Sequence, residues 1–176
     1  MNVTIFGGTK PQPGEPEYLD AVRLGRMLAE KGHSVVTGGY MGIMEAVSRG
    51  ANEAGGHVIG VTCDEIENWR HSRANPWVIE EWKVPTLQER MLRLIDACHA
   101  AIVLPGGVGT LAEITLMWNR MVIQATPRRK LILIGVGWQA TFAGLFESMR
   151  AYFPPAHQEM LAFVPTVEAA VEALEG

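Results

Sequence analysis

Short runs of apolar, often β-branched residues recur along this chain, and the first of them end in glycine before giving way to a helical pattern. Val3-Thr4-Ile5-Phe6 ends at Gly7-Gly8, Ser34-Val35-Val36-Thr37 at Gly38-Gly39, and Ala100 to Leu104 at Pro105-Gly106-Gly107. His57 to Val61, Lys130 to Val136 and Leu161 to Val164 are further runs of the kind. Between them the apolar spacing predicts helices over Tyr18–Lys31, Met41–Ala54, Thr86 to about Cys98, Leu111–Gln124 and Gln139–Tyr152, with a last helix capped by Thr166. Strands that alternate with helices are joined by crossovers, and the resulting parallel sheet is covered on both faces. The expectation is therefore an α/β fold, a three-layer Rossmann-like doubly wound parallel sheet, in a single domain spanning residues 1–176.

Residues 62–85 break the pattern. They hold Trp69, Trp77 and Trp82 with Arg70, His71 and Arg73, show no clean helical period, and suggest an extended stretch only over Val78 to Val84. The chain as a whole is 48% hydrophobic and 19% charged, which supports a packed core and excludes disorder.

Net charge is -4. A protein that neutralises nucleic-acid phosphates carries a basic face, and the one basic cluster, Arg128-Arg129-Lys130, reads as a solvated turn before a strand. Nucleic acid is not an expected partner. The longest apolar stretch, around Leu131 to Trp138, falls short of the ~20 residues a membrane helix needs. No charged segment precedes an apolar one at the start of the chain, so the expectation is a soluble, cytoplasmic protein without a membrane partner. Cys63 and Cys98 read as buried thiols, and the histidines at 33, 57, 71, 99 and 157 show no ligand spacing, so no metal and no cofactor are expected.

In open α/β sheets, ligands bind beyond the carboxyl ends of the strands, where strand order reverses. Three glycine clusters fall at such ends: Gly7-Gly8-Thr9, Gly38-Gly39 with Met41 and Gly42, and Gly106-Gly107-Val108-Gly109-Thr110. Glycine lets backbone amides approach an anion without an intervening Cβ, and a helix opening just after the loop adds unpaired N–H groups and partial positive charge. A phosphate is the expected occupant of the third cluster. No Gly-Lys-Ser/Thr follows any cluster, and the GxGxxG fingerprint is absent after the first strand, so neither a Walker loop nor a dinucleotide site is indicated. Glu113 stands three residues beyond Thr110. On spacing alone it reads as a cap for the first-turn amides of its own helix, and Arg90 as a solvated helix residue.

The stretch Glu89-Arg90 … Pro105-Gly106-Gly107-Val108-Gly109-Thr110-Leu111-Ala112-Glu113 resembles the PGGxGTxxE signature, with its upstream arginine, of the "Lonely guy" phosphoribohydrolases, once labelled putative lysine decarboxylases. Gly38-Gly39-Tyr40-Met41-Gly42-Ile43-Met44 resembles that family's second glycine motif and Gly7-Gly8-Thr9 its first, so the likeness covers nearly the whole chain. It implies hydrolysis of the N-glycosidic bond of a nucleoside 5′-monophosphate (AMP or N6-substituted AMP) to a free base and ribose 5-phosphate. Glu113 and Arg90 would be catalytic, and the glycine loops would hold the nucleotide. Decarboxylation is not indicated: amino acid decarboxylation normally uses pyridoxal phosphate on a lysine, and Lys10, Lys31, Lys83 and Lys130 all lie off the motifs.

The family's Arg-Lys pair is Arg90-Met91 here, which removes one charged substrate contact. Chains of this looser type include nucleotide- or molybdenum-cofactor-binding carriers without hydrolase activity, so a non-catalytic carrier is the alternative. The Trp69 to Trp82 segment reads as a surface lid or subunit contact, or else as a wall for a purine. The Leu111–Gln124 helix is apolar nearly all round, and one helix face can meet only one sheet, so a homodimer built on it is expected.

Overall fold

In the computed structural model, which describes residues 1–176, the apolar runs become β1 (Asn2–Phe6), β2 (Ser34–Thr37), β3 (Val58–Cys63), β5 (Ala100–Val103), β6 (Lys130–Ile134) and β7 (Leu161–Val164). A seventh strand, β4 (Glu80–Val84), lies in the irregular tryptophan-rich segment. All seven pair in parallel in the order β4-β3-β2-β1-β5-β6-β7. Succession runs outward from β1 in one direction as far as β4, then resumes on the other side of β1 with β5. The strand order thus reverses between β1 and β5, as a doubly wound sheet requires, and the crevice at their carboxyl ends is where such sheets take ligands. β4 forms one edge, and its exposed Glu80, Glu81 and Lys83 discourage further strand pairing there.

The helices are α1 (Pro16–Glu30), α2 (Ile43–Glu53), α3 (Asp64–Arg70), α4 (Leu87–Ala97), α5 (Val108–Val122), α6 (Val136–Ser148), α7 (Pro155–Gln158) and α8 (Val167–Glu175). Strand residues alternate between two cores. Val3, Ile5, Val35, Ile102 and Ile132 pack under α1, α2 and α8, while Phe6, Val36, Val103, Leu131 and Leu133 pack under α4, α5 and α6. No helix is long and apolar enough to cross a membrane.

Local chemistry explains most boundaries. Thr86 and Thr166 cap α4 and α8 by accepting the amides of Glu89 (3.2 Å) and Ala169 (3.3 Å), as their positions before apolar periods predict. α1 starts at Pro16, ahead of the expected Tyr18, because proline at the first helical position gives up an amide that needs no acceptor there. α3 was not expected. Asp64, Glu65 and Glu67 favour its amino end, and His71 closes it in the left-handed conformation at φ 51°.

Packing refines two sequence expectations. Arg128 and Lys130 are exposed at the entry to β6, as a solvated turn predicts, but the cluster is also tied down. Arg129 Nη1 donates to Ile95 O (2.6 Å) at the end of α4, and Lys130 Nζ to the carbonyls of Ala173 and Leu174 (3.0 Å each) at the end of α8. These cations satisfy orphan helix carbonyls. The second apolar face of α5 also finds a partner within the chain: Trp118 stacks on Phe153 at 5.4 Å and meets Phe142 and Phe146 edge-on at 5.9 Å each. What α5 leaves open is Val108 and Leu111, with Leu116 and Val122 half-buried and Ile123 exposed just past its end.

Candidate active site

The three glycine clusters meet at the carboxyl ends of β1, β2 and β5, and Gly8 laces them together. Its N–H donates to Pro105 O (2.9 Å) and its carbonyl accepts the N–H of Ile43 (3.0 Å), the first residue of α2. The lacing demands close backbone approach. A Cβ on Gly42, itself at φ 69°, would stand 2.6 Å from Gly8 O, and one on Gly106 would stand 2.2 Å from Thr110 Oγ1. Gly38 and Gly39 are buried, Gly7, Gly8 and Thr9 are half-buried, and Met41 is exposed.

Beyond Gly106 the backbone turns outward. α5 opens at Val108, three residues before the helix expected from the sequence, so the end of the glycine loop is already its first turn. Gly107 caps it without a side-chain bond, and the first helical bond is Leu111 N–H to Gly107 O (3.0 Å). The amides of Gly106, Gly107, Val108, Gly109 and Thr110 consequently have no acceptor within the protein. Gly107, Val108 and Gly109 are exposed, Val108 at 86%, and no atom would crowd a Cβ at Gly107 or Gly109. An open run of amides at the positive end of a helix is a site for an anion.

Glu113 lies one turn further along α5, with its side chain 13% exposed. It does not cap the helix, contrary to what spacing alone suggests, and it makes no hydrogen bond at all. Its charged neighbour is Arg90, whose Nη1 stands 3.9 Å from Glu113 Oε1. Burial pushes the carboxyl up to about 7, against a smaller opposing pull from the Arg90 charge.

Arg90 is no solvated helix residue. α4 places it over the ends of β2 and β3, where Nε donates to Val61 O (2.7 Å), Nη2 donates to Gly38 O (3.0 Å) and also reaches Met44 Sδ (3.7 Å). Gly38 has no side chain for a geometric reason: a Cβ there would fall 1.7 Å from Arg90 Nη2. With two of its nitrogens committed, the guanidinium is a fixed cation whose remaining Nη1 faces Glu113.

The tryptophans are spread out. Trp69 is 74% exposed beneath Arg70 (4.9 Å), Trp77 lies against Arg49 of α2 (5.7 Å), and Trp82 against Arg93 of α4 (4.4 Å). The segment is tied to the site through Asn75, whose N–H donates to Gly39 O (2.7 Å) and whose Nδ2 donates to Tyr40 O (2.9 Å). A cavity of about 220 Å³ on another flank of Pro105, lined by Glu17, Asp20, Gly135 and Thr166 among others, includes neither Glu113 nor Arg90. Of its acids, Glu17 is exposed and Asp20 half-buried.

Residues 1–136, which hold every element of this site, match the SLOG cluster4 family. The chain belongs to that family. Among relatives of this SLOG chain, a probable cytokinin riboside 5′-monophosphate phosphoribohydrolase of Oryza sativa subsp. japonica is 30% identical over 98% of this chain and 71% of its own length. A cytokinin riboside 5′-monophosphate phosphoribohydrolase of Mycobacterium tuberculosis is 29% identical over 97% and 91%. The resemblance to the Lonely guy phosphoribohydrolases is thereby established. The molybdenum cofactor binding protein of Rippkaea orientalis superposes with a TM-score of 0.76 over 99% of the SLOG chain and 94% of its own, at 21% identity, which speaks for the shared fold.

Proposed function

We propose that this protein hydrolyses the N-glycosidic bond of a nucleoside 5′-monophosphate, releasing the free base and ribose 5-phosphate. The observation that carries the reading is the juxtaposition on α5: an acceptor-free run of amides ends one turn before a carboxyl that titrates near neutrality. In this reading the amides of Gly106 to Thr110 hold the 5′-phosphate, with Gly7, Gly8, Thr9, Met41 and Gly42 shaping the crevice beside it. Gly38 and Gly39 serve from beneath, by seating Arg90 and the Asn75 loop. The anchored phosphate fixes the sugar against Glu113.

Cleavage of such a bond passes through an oxocarbenium-like ribosyl cation. The C1′–N bond breaks with its electron pair leaving on the base, water oxygen bonds to C1′, and one water proton passes to ionised Glu113. The proton is then available to the departing base. Before it arrives, the carboxylate also stabilises the positive charge at C1′. Arg90 holds part of the Glu113 population ionised, opposing the effect of burial. The phosphoribohydrolase names of the relatives support this reading.

Incubation with a panel of nucleoside 5′-monophosphates tests it. The wild type releases a base from at least one, and Glu113→Gln releases none while keeping its fold. Met91, in place of the family lysine, favours a second reading, a carrier of a phosphorylated ligand or molybdenum cofactor. It predicts thermal stabilisation by ligand without turnover. We further propose a cytoplasmic homodimer, its contact supported by the exposed Leu111 on α5 and Ile123 just past the helix end, with a dimeric sedimentation mass as its check.

A further inference from the structure

The hydrogen bonds of Arg90 to Val61 O and Gly38 O restrain its guanidinium from the edge. The guanidinium also stands over the ring of Tyr40, with Arg90 Cζ 5.3 Å from the ring centroid. Tyr40 is 2% exposed and its ring is pinned at the far end, where the hydroxyl donates to Cys63 O (3.1 Å) and accepts the Cys63 N–H (2.8 Å). Its own carbonyl accepts Asn75 Nδ2 (2.9 Å), which pins the near end. The ring is thus a fixed plate between the ends of β2 and β3.

We propose that Tyr40 is a positioning residue, whose ring face sets where the Arg90 guanidinium stands relative to Glu113. The inference rests on the reading of Glu113 and Arg90 as the reacting pair, and it adds a residue outside the glycine-loop contacts. A cation over an aromatic face gains most where water is excluded, as it is around this buried pair. Arg90 is the charge that acts on the Glu113 carboxyl, while Cys63 on β3 and Glu67 on α3 face Tyr40 from behind. A shift of the guanidinium therefore registers at Glu113.

The test replaces Tyr40 by phenylalanine and then by phenylalanines of rising ring fluorination, which drain the π-face while keeping its shape. The Glu113 carboxyl is followed by carbon NMR titration of the full-length protein, assigned with Glu113→Gln. Tyr40→Phe removes the hydroxyl's bonds to Cys63 and is the reference from which the fluorinated series is read. Each added fluorine raises the midpoint, and kcat falls in step, by on the order of tenfold across the series, with KM little changed. A flat midpoint across the fluorinated series overturns the proposal. So does a shift already complete in Tyr40→Phe, which would assign the effect to the hydroxyl. Because the titration needs no turnover, failure of the hydrolase reading shows separately, as wild-type protein that releases no base.

Discussion

Arg90 Nη1 and Glu113 Oε1 face each other across 3.9 Å, and only one of the two groups is tied down. The guanidinium is locked to the carbonyls of Gly38 and Val61, while the carboxyl makes no hydrogen bond and is buried beside one fixed charge. A free acidic group beside a fixed cation can exchange a proton without rearranging its surroundings.

The first consequence is in pH. Glu113 rises from its ordinary 4.5 to about 7 in the fold, so the folded state binds the proton more tightly than the unfolded chain. The stability this confers is complete below about 4.5 and is lost as pH climbs through about 7, with a total on the order of 3 kcal/mol. Urea unfolding across this range should show that decline in the wild type and its absence in Glu113→Gln. In the proposed mechanism the ionised form is the base, so kcat/KM should rise across the same interval.

Arg90→Met removes the fixed cation and leaves the Gly38 and Val61 carbonyls without their donor. Stability should fall by roughly 2 kcal/mol or more, as buried acceptors lose their partners. Glu113 should titrate still higher, and activity at neutral pH should drop. Titration and chemical denaturation of the variant check both.

Two glycine variants should separate the functions of the loops. Gly38→Ala drives a methyl into Arg90 Nη2, so kcat should fall while phosphate binding persists. Gly106→Ala drives one into Thr110 Oγ1 and toward Gly8 N, so the anion site itself distorts and KM should rise. Steady-state kinetics with calorimetric binding of ribose 5-phosphate reads the split.

Trp118→Ala empties the aromatic cluster between α5 and α6 and removes the Trp118 Nε1–H bond to the His157 carbonyl (2.8 Å), which keeps its bond from Met160 N–H (3.2 Å). A loss of about 3–5 kcal/mol is expected, measured by denaturant unfolding. Because the cluster lies under α5, any loss of activity should follow the loss of fold.

Much of this architecture is legible in the sequence because buried parallel strands carry a strong local signal. Val3–Phe6 and Ser34–Thr37 could be read directly, and so could the Thr86 and Thr166 caps. The helical first turn at Val108 was hidden because its residues resemble a loop until Leu111 makes the first bond back to Gly107. α3 was obscured by its brevity. The burial of Arg90 was illegible for a deeper reason: its acceptors, Val61 and Gly38, lie 29 and 52 residues away and converge only once β2 and β3 are paired. The place of the Tyr40 ring is illegible likewise, since its partner Cys63 sits 23 residues on, at the end of another strand.

The central claim is tested most directly by supplying AMP and its N6-substituted analogues to purified protein and quantifying free base and ribose 5-phosphate together. Equal amounts of the two products, rising with pH through about 7 and absent with Glu113→Gln, are the predicted result. Nucleotides that bind and stabilise the protein yet are recovered intact would contradict it.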